Sequence, residues 1–227
     1  METTRPRGVI PILIVAAFVV ILNETTMNVA LSAIMEDFSV TERTAQWLTT
    51  AFMLTMAVVI PITGWLLDRL PTRSVFVIAM ATFSVGTLLC AIAPTFALLL
   101  SGRVVQASGT AIMMPLLMTT VMQLVGPSER GAMMGNISMV IAVAPAIGPT
   151  LSGAILSVGS WRAIFLTVLP IALAMLVLGA RYLASVNEPL RTPLDLISVA
   201  LTALGFGPLI YGLSLIGPPT SRSGCRC

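Results

Sequence analysis

Ile21-Leu22-Asn23-Glu24-Thr25-Thr26-Met27-Asn28-Val29-Ala30-Leu31 closes the first long apolar run of the chain. It places a carboxylate where the surrounding residues call for hydrocarbon. Holding a charge at the centre of a membrane helix costs about 2.5–3.5 kcal/mol on insertion scales. Such a residue normally faces a bundle interior or a watery cavity. Asn28 follows Glu24 by four residues and shares its helical face, and Asn23 and Thr25 flank it. One face of this helix is therefore polar, while the rest is Val, Ile, Leu and Ala. The other reading is that Glu24 lies near the membrane surface and snorkels.

Six further apolar runs follow. The seven cover about 9–31, 47–67, 75–93, 96–118 (reaching 124 at most), 132–156, 163–183 and 196–216. Each is near the ~20 residues that cross a bilayer as a helix. The bulk composition agrees: 57% of the 227 residues are hydrophobic and 9% charged, with a mean hydropathy of +1.01, where a soluble domain carries about 25% charged residues. The fold class expected is all-α and polytopic. A signal peptide would also begin with a charged start such as Arg5 and Arg7, but the first run is long for one and contains Glu24. The segment 34–46, with Glu36, Asp37, Glu42 and Arg43, reads as a polar loop.

Histidine is absent, which excludes histidine-based catalysis and histidine metal sites, and all twelve basic residues are arginines. These lie scattered between apolar runs, so the net charge of +3 is no nucleic-acid signature. Cys90 lies within an apolar run and reads as packing. Cys225-x-Cys227 alone is too weak a signal for a metal site or a disulfide. No nucleophile–base pair is visible, so an enzyme is not expected. Arginine sets the orientation. With the N-terminus cytoplasmic, Arg5, Arg7, Arg69, Arg73, Arg130, Arg181 and Arg191 lie inside, and only Arg43 and Arg162 belong to outside loops. The tail breaks this rule with Arg222 and Arg226, and reads as a truncation or frame change; the alternative is a genuine short disordered tail.

Arg103 is a second charge within an apolar run. Glu24 lies seven residues before the end of span one and Arg103 seven after the start of span four, so both are expected roughly 10 Å below the same surface. Opposite charges at one depth should seek each other. Burial favours a neutral acid and a nearby guanidinium favours a carboxylate, and a group balanced between them can take and release a proton. A purely structural ion pair remains the alternative. Arg103, Gln106 and Thr110 share a face. In span five, Ala144, Gly148 and Ser152 recur every fourth residue, a stripe that lets another helix approach closely. Pro145 and Pro149 each remove a backbone donor and are expected to bend it. Small-residue spacing alone justifies only a packing groove.

Taken in order, these motifs resemble the major facilitator superfamily, in its fourteen-helix drug/proton antiporter branch, over nearly the whole chain to about Gly217. Residues 22–31 are similar to the branch's first-helix motif, with Asn23 at the usual Asp position and the acid one residue later. Gly64, Leu66, Asp68, Arg69 and Arg73 match the loop motif between helices two and three, where Pro71 and Thr72 depart from it. Arg103-x-x-Gln106-x-x-Gly109 matches the fourth-helix motif. Gly148-Pro149-x-x-Ser152-Gly153 matches the antiporter motif of helix five, with Ser152 for one Gly, and Trp161-Arg162-x-Ile164-Phe165 and Pro170 also fit.

The resemblance implies a six-helix N-terminal bundle over 1–184, a cytoplasmic linker over 185–195, a seventh transmembrane helix over 196–217 and a polar tail over 218–227. It implies a proton-coupled, multidrug-type efflux antiporter in the cell membrane, apparently truncated. Its partners would be small amphipathic or cationic substrates, the lipid bilayer, and a missing C-terminal half or a second copy. No cofactor is expected; a proton gradient supplies the energy. Glu24 and Arg103 would couple protons, and Asn23, Asn28, Gln106 and Thr110 would line the substrate cavity. Gly64, Asp68, Arg69, Arg73 and Arg130 would form a gating loop, although ordinary positive-inside anchoring also accounts for the arginines. Without a second bundle, Glu24, Asn28, Arg103 and Gln106 are expected to face lipid, and the chain alone is not expected to transport. A transporter of the same fold for a metabolite or lipid, or a non-transporting fragment or subunit, are the alternatives.

Overall fold

A backbone in hydrocarbon must satisfy its N–H and C=O groups within its own segment, and the described residues are correspondingly helical. The computed structural model describes residues 8–183, with Gly205, Pro208 and Gly212 as isolated positions beyond them. The helices are α1 (Val9–Phe38), α2 (Glu42–Ala45), α3 (Trp47–Arg69), α4 (Thr72–Ala91), α5 (Phe96–Leu124), α6 (Arg130–Val158) and α7 (Arg162–Tyr182). Among the described residues six membrane-length apolar helices result, because α2 leads directly into α3. The all-α architecture is as expected. The linker, the seventh span and the tail, with Arg5, Arg7, Arg191, Cys225 and Cys227, lie outside the described residues apart from the three isolated positions.

One element is longer than the apolar pattern indicates. Helix α1 does not stop near residue 31 but continues to Phe38, so Ile34, Glu36 and Asp37 are helical rather than part of a loop. Hydropathy marks the part of a helix that lies in hydrocarbon, whereas the hydrogen-bond ladder continues until something ends it. Here Ser39 ends it in a left-handed conformation (φ 50°), with its N–H on Glu36 O and that of Val40 on Met35 O. The connection 94–95 is the tight turn expected: Thr95 caps α5 by accepting from Leu98 N at 3.3 Å. Hydroxyls within the spans turn back on their own helices, as Thr55 does on Ala51 O and Thr63 on Val59 O.

The helices pack α4 on α5 and α7, α3 on α5, and α1 on α5, α6 and α7. Glycines permit the closest crossing. A side chain at Gly86 of α4 would overlap the backbone of Gln106 on α5, and one at Gly109 of α5 would overlap Ala79 and Phe83 on α4. The apolar interior divides into two clusters. One contains Leu13, Val20, Phe76, Phe83, Met113 and Val168. The other contains Met27, Ile34, Leu48, Leu99, Trp161 and Phe165. Between them, the same helices contribute a polar layer: Asn23 and Thr26 from α1, Ser84 and Thr87 from α4, Arg103, Gln106 and Thr110 from α5, and Ser152 from α6, all buried.

Candidate functional site within the polar layer

Glu24 enters this layer from the middle of α1 and is half-buried, while its neighbour Asn23 is 1% exposed. Thr25 and Thr26 bind their own helix, donating to Leu22 O and Asn23 O at 2.9 Å each. Asn28, one turn beyond Glu24, is exposed. The face that carries Glu24 thus opens outward at Asn28 and closes inward at Asn23. Both polar atoms of the Asn23 amide are buried without a hydrogen bond.

Helix α6 bears on α1 at this level. Ala144, Gly148 and Ser152 are buried, and a side chain at Gly148 would overlap Thr25. Ser152 Oγ donates to Thr26 O at 3.0 Å. The four-residue stripe therefore forms the α1–α6 contact. Pro145, Pro149 and Gly153, each one residue beyond a stripe position, are exposed on the neighbouring face of a helix that is continuous through both prolines.

Arg103 is 1% exposed and its surroundings are mostly not ionic. Its Nη1 donates to Gln106 Oε1 at 2.6 Å, and its guanidinium lies 4.1 Å from the ring centroid of Phe52 on α3. Gln106 Nε2 donates to Thr87 Oγ1 at 2.8 Å, and Thr87 Oγ1 donates to Phe83 O at 2.7 Å. Thr110 Oγ1 binds Gln106 O at 3.1 Å. Glu24 and Arg103 interact electrostatically, yet no ion pair within 4.0 Å joins them; among the described residues the one such pair is Arg162–Asp37. The depth argument brought the two charges into one layer but not into contact: Nη1 is turned to Gln106 and the guanidinium face lies on Phe52, while Nε is buried without a hydrogen bond.

This arrangement corrects the expectation that Arg103 and Gln106 face lipid. Arg103, Gln106 and Thr110 do not face outward with Glu24 and Asn28; Gln106 is fully buried and Thr110 is 5% exposed. The cause is the glycine-mediated approach of α4, which covers that face of α5. Thr87 and Phe52 were missed. A hydroxyl at Thr87 within an apolar run was a signal, since buried polar groups in a membrane helix seek partners. Phe52 gave none.

At the α3–α4 connection Gly64, Asp68, Arg69 and Arg73 are exposed, and Arg69 lies over Trp65 at 5.3 Å. Arg130 does not join Asp68. Its Nε and Nη2 donate to Val125 O at 3.0 Å and Met122 O at 2.8 Å. These carbonyls lie at the end of α5, where a helix leaves its last acceptors unsatisfied, and a guanidinium in the next turn of chain fills them. At the opposite end, Asp37 accepts from Trp161 Nε1 at 3.0 Å and from Arg162 Nη1 at 2.9 Å. Arg162 Nη2 also reaches Ala93 O at 3.0 Å. This clasp ties α1 and the start of α7 to the turn that follows α4. Cys90 is buried and free, with Sγ 3.7 Å from Leu99 O.

The family model described as Major Facilitator Superfamily matches residues 13–218. The chain is 44% identical over 209 residues to the uncharacterized MFS-type transporter YcnB of Bacillus subtilis, covering 92% of this chain and 44% of that protein. It is 39% identical over 224 residues to the lincomycin resistance protein LmrB of the same organism, covering 96% and 47%. With the multidrug export protein EmrB of Haemophilus influenzae it shares 33% over 195 residues, covering 86% and 38%. The chain thus spans less than half the length of these relatives. Among solved structures, the human organic anion transporter MFSD10 superimposes with a TM-score of 0.73 at 16% identity, over 92% of this chain and 55% of that one. A bacterial homologue of the lysosomal transporter Spinster gives 0.71 at 20%, over 87% and 47%. At such identities the likeness is one of fold.

Proposed function

The chain belongs to the Major Facilitator Superfamily, and from that premise we propose that it forms one bundle of a proton-coupled exporter of small amphipathic or cationic compounds. The observation that carries this reading is the placement of Glu24. It is the one acid in the polar layer, half-buried, within the field of Arg103 and not paired with it. A carboxylate locked in an ion pair would hold its charge throughout a cycle. One that is near a fixed cation but open towards Asn28 can exchange a proton for a cationic substrate. Relatives named for lincomycin resistance and multidrug export support the class of cargo.

In this reading the bundle rocks against a second one, supplied by another segment or another copy. Glu24 is the proton site and Arg103 supplies a constant positive field. Asn28 lies on the substrate side, and the unpaired amide of Asn23 is available to a polar group arriving at Glu24. Asp68, Arg69 and Arg73 act in conformational control at their end, which the arginine asymmetry assigns to the cytoplasm. Arg130 fastens α5 instead of joining them.

The test is transport by a complete protein containing this segment, reconstituted in vesicles with an imposed proton gradient, with lincomycin and ethidium as probes. Glu24→Gln should abolish gradient-driven export and leave probe binding within a few-fold of the parent. Glu24→Asp should retain part of the rate with a displaced pH optimum. Export by Glu24→Gln at the parental rate places coupling elsewhere.

A further inference from the structure

A buried guanidinium on a flexible stem would be expected to turn towards the acid in its own layer. Arg103 instead contacts an amide and a phenyl ring. The hydrogen-bond directions explain why. The Thr87 hydroxyl has a single proton, and Phe83 O takes it at 2.7 Å. Towards Gln106, Thr87 can therefore only accept. That fixes the amide: its NH2 must point to Thr87 and its oxygen to Arg103, the arrangement found at 2.8 and 2.6 Å. The Gln106 backbone has no latitude either, because α4 presses on it at Gly86. With Phe52 on the guanidinium face, α3, α4 and α5 all hold the one cation.

We infer that Thr87 is a positioning residue: acting through Gln106, it holds the Arg103 guanidinium in place, so that Arg103 acts on Glu24 as a stationary charge and not as a partner that swings to it. The functional meaning rests on the roles given above to Glu24 and Arg103, but the positioning itself does not. Without the Thr87 acceptor, the amide loses its anchor on α4, and its oxygen no longer holds the guanidinium at a fixed point.

The experiment is ¹⁵N relaxation of the Arg103 Nε–Hε group in the 227-residue chain in lipid nanodiscs, with the signal assigned through Arg103→Lys. The parent should give an order parameter in the rigid range, about 0.85, and Thr87→Val should bring it below about 0.6. Thr87→Ser, which keeps the acceptor, should restore the parental value. A rigid Arg103 in Thr87→Val overturns the inference. Should that variant not fold, Thr87→Ser and Thr87→Cys decide: sulfur accepts weakly, so equal order in the two overturns it, and greater order in the serine form supports it. Neither result involves transport, so failure here is distinct from failure of the exporter reading.

Discussion

Ser152 Oγ on α6 donates to the carbonyl of Thr26 on α1, two residues from Glu24. One turn away on the same stripe, Gly148 lies against Thr25 so closely that no Cβ fits. The hydrogen bond and the missing methyl group make unequal contributions. Hydrogen bonds between membrane helices average about 0.6 kcal/mol, whereas overpacking a tight contact costs about 1–3 kcal/mol. Gly148→Ala should therefore lower the midpoint of thermal unfolding in detergent more than Ser152→Ala. The reverse order would show that the hydroxyl, and not the close approach, holds α6 to α1.

The stripe was legible because four-residue spacing is a property of one helix, and so was the Arg103–Gln106 pair, three residues apart. What could not be read was which neighbour covers a given face. Periodicity places Arg103 and Gln106 together but does not reveal that α4 closes over them, since that depends on where Gly86 and Gly109 meet their counterparts. The resemblance grouped Arg130 with Asp68 in one gating loop. The open carbonyls of Met122 and Val125 compete for it, and they appear only once α5 has a defined end. The length of α1 was misread for a related reason: hydropathy falls at residue 31, but the ladder is ended by the backbone at Ser39.

The clasp at the Phe38 end should respond to its acceptor before its donors. Asp37 serves both Trp161 and Arg162 through one oxygen, while Arg162 retains Ala93 O and the Trp161 ring at 4.2 Å when Asp37 is removed. Lysine in place of Arg162 lacks the fork that spans two acceptors. Asp37→Ala should release the indole N–H of Trp161, seen as faster hydrogen exchange at that group. Arg162→Lys should leave the exchange close to the parent. Equal protection of the indole in Asp37→Ala would mean that the clasp does not persist in the membrane.

Topology can be tested at an exposed position. Thr72 begins α4 but is buried, whereas Arg73 is exposed. In a variant with the two tail cysteines replaced, a cysteine at Arg73 should react with an impermeant maleimide only from the cytoplasmic side. One at Thr41, exposed beyond the end of α1, should react only from the opposite side. Buried Cys90 should stay silent in both. Reaction of the Arg73 position from outside would invert the arrangement.

The last prediction separates the two relationships of Arg103. Gln106 touches it at 2.6 Å, and Glu24 acts on it without an ion pair. Removing Gln106 Oε1 leaves a buried donor unmet, a loss of about 1–3 kcal/mol. Removing the charge of Glu24 takes away a longer-range attraction and, at the same time, the desolvation that a half-buried carboxylate suffers, so the two effects oppose each other. A double-mutant cycle on unfolding should therefore give a larger coupling for Arg103→Met with Gln106→Ala than for Arg103→Met with Glu24→Gln, since methionine removes both the donors and the charge. If the Glu24 coupling is the larger at neutral pH, the two charges meet directly in the membrane. Arg103 would then be a partner that moves, and the release of a proton from Glu24 would require breaking that pair in every cycle.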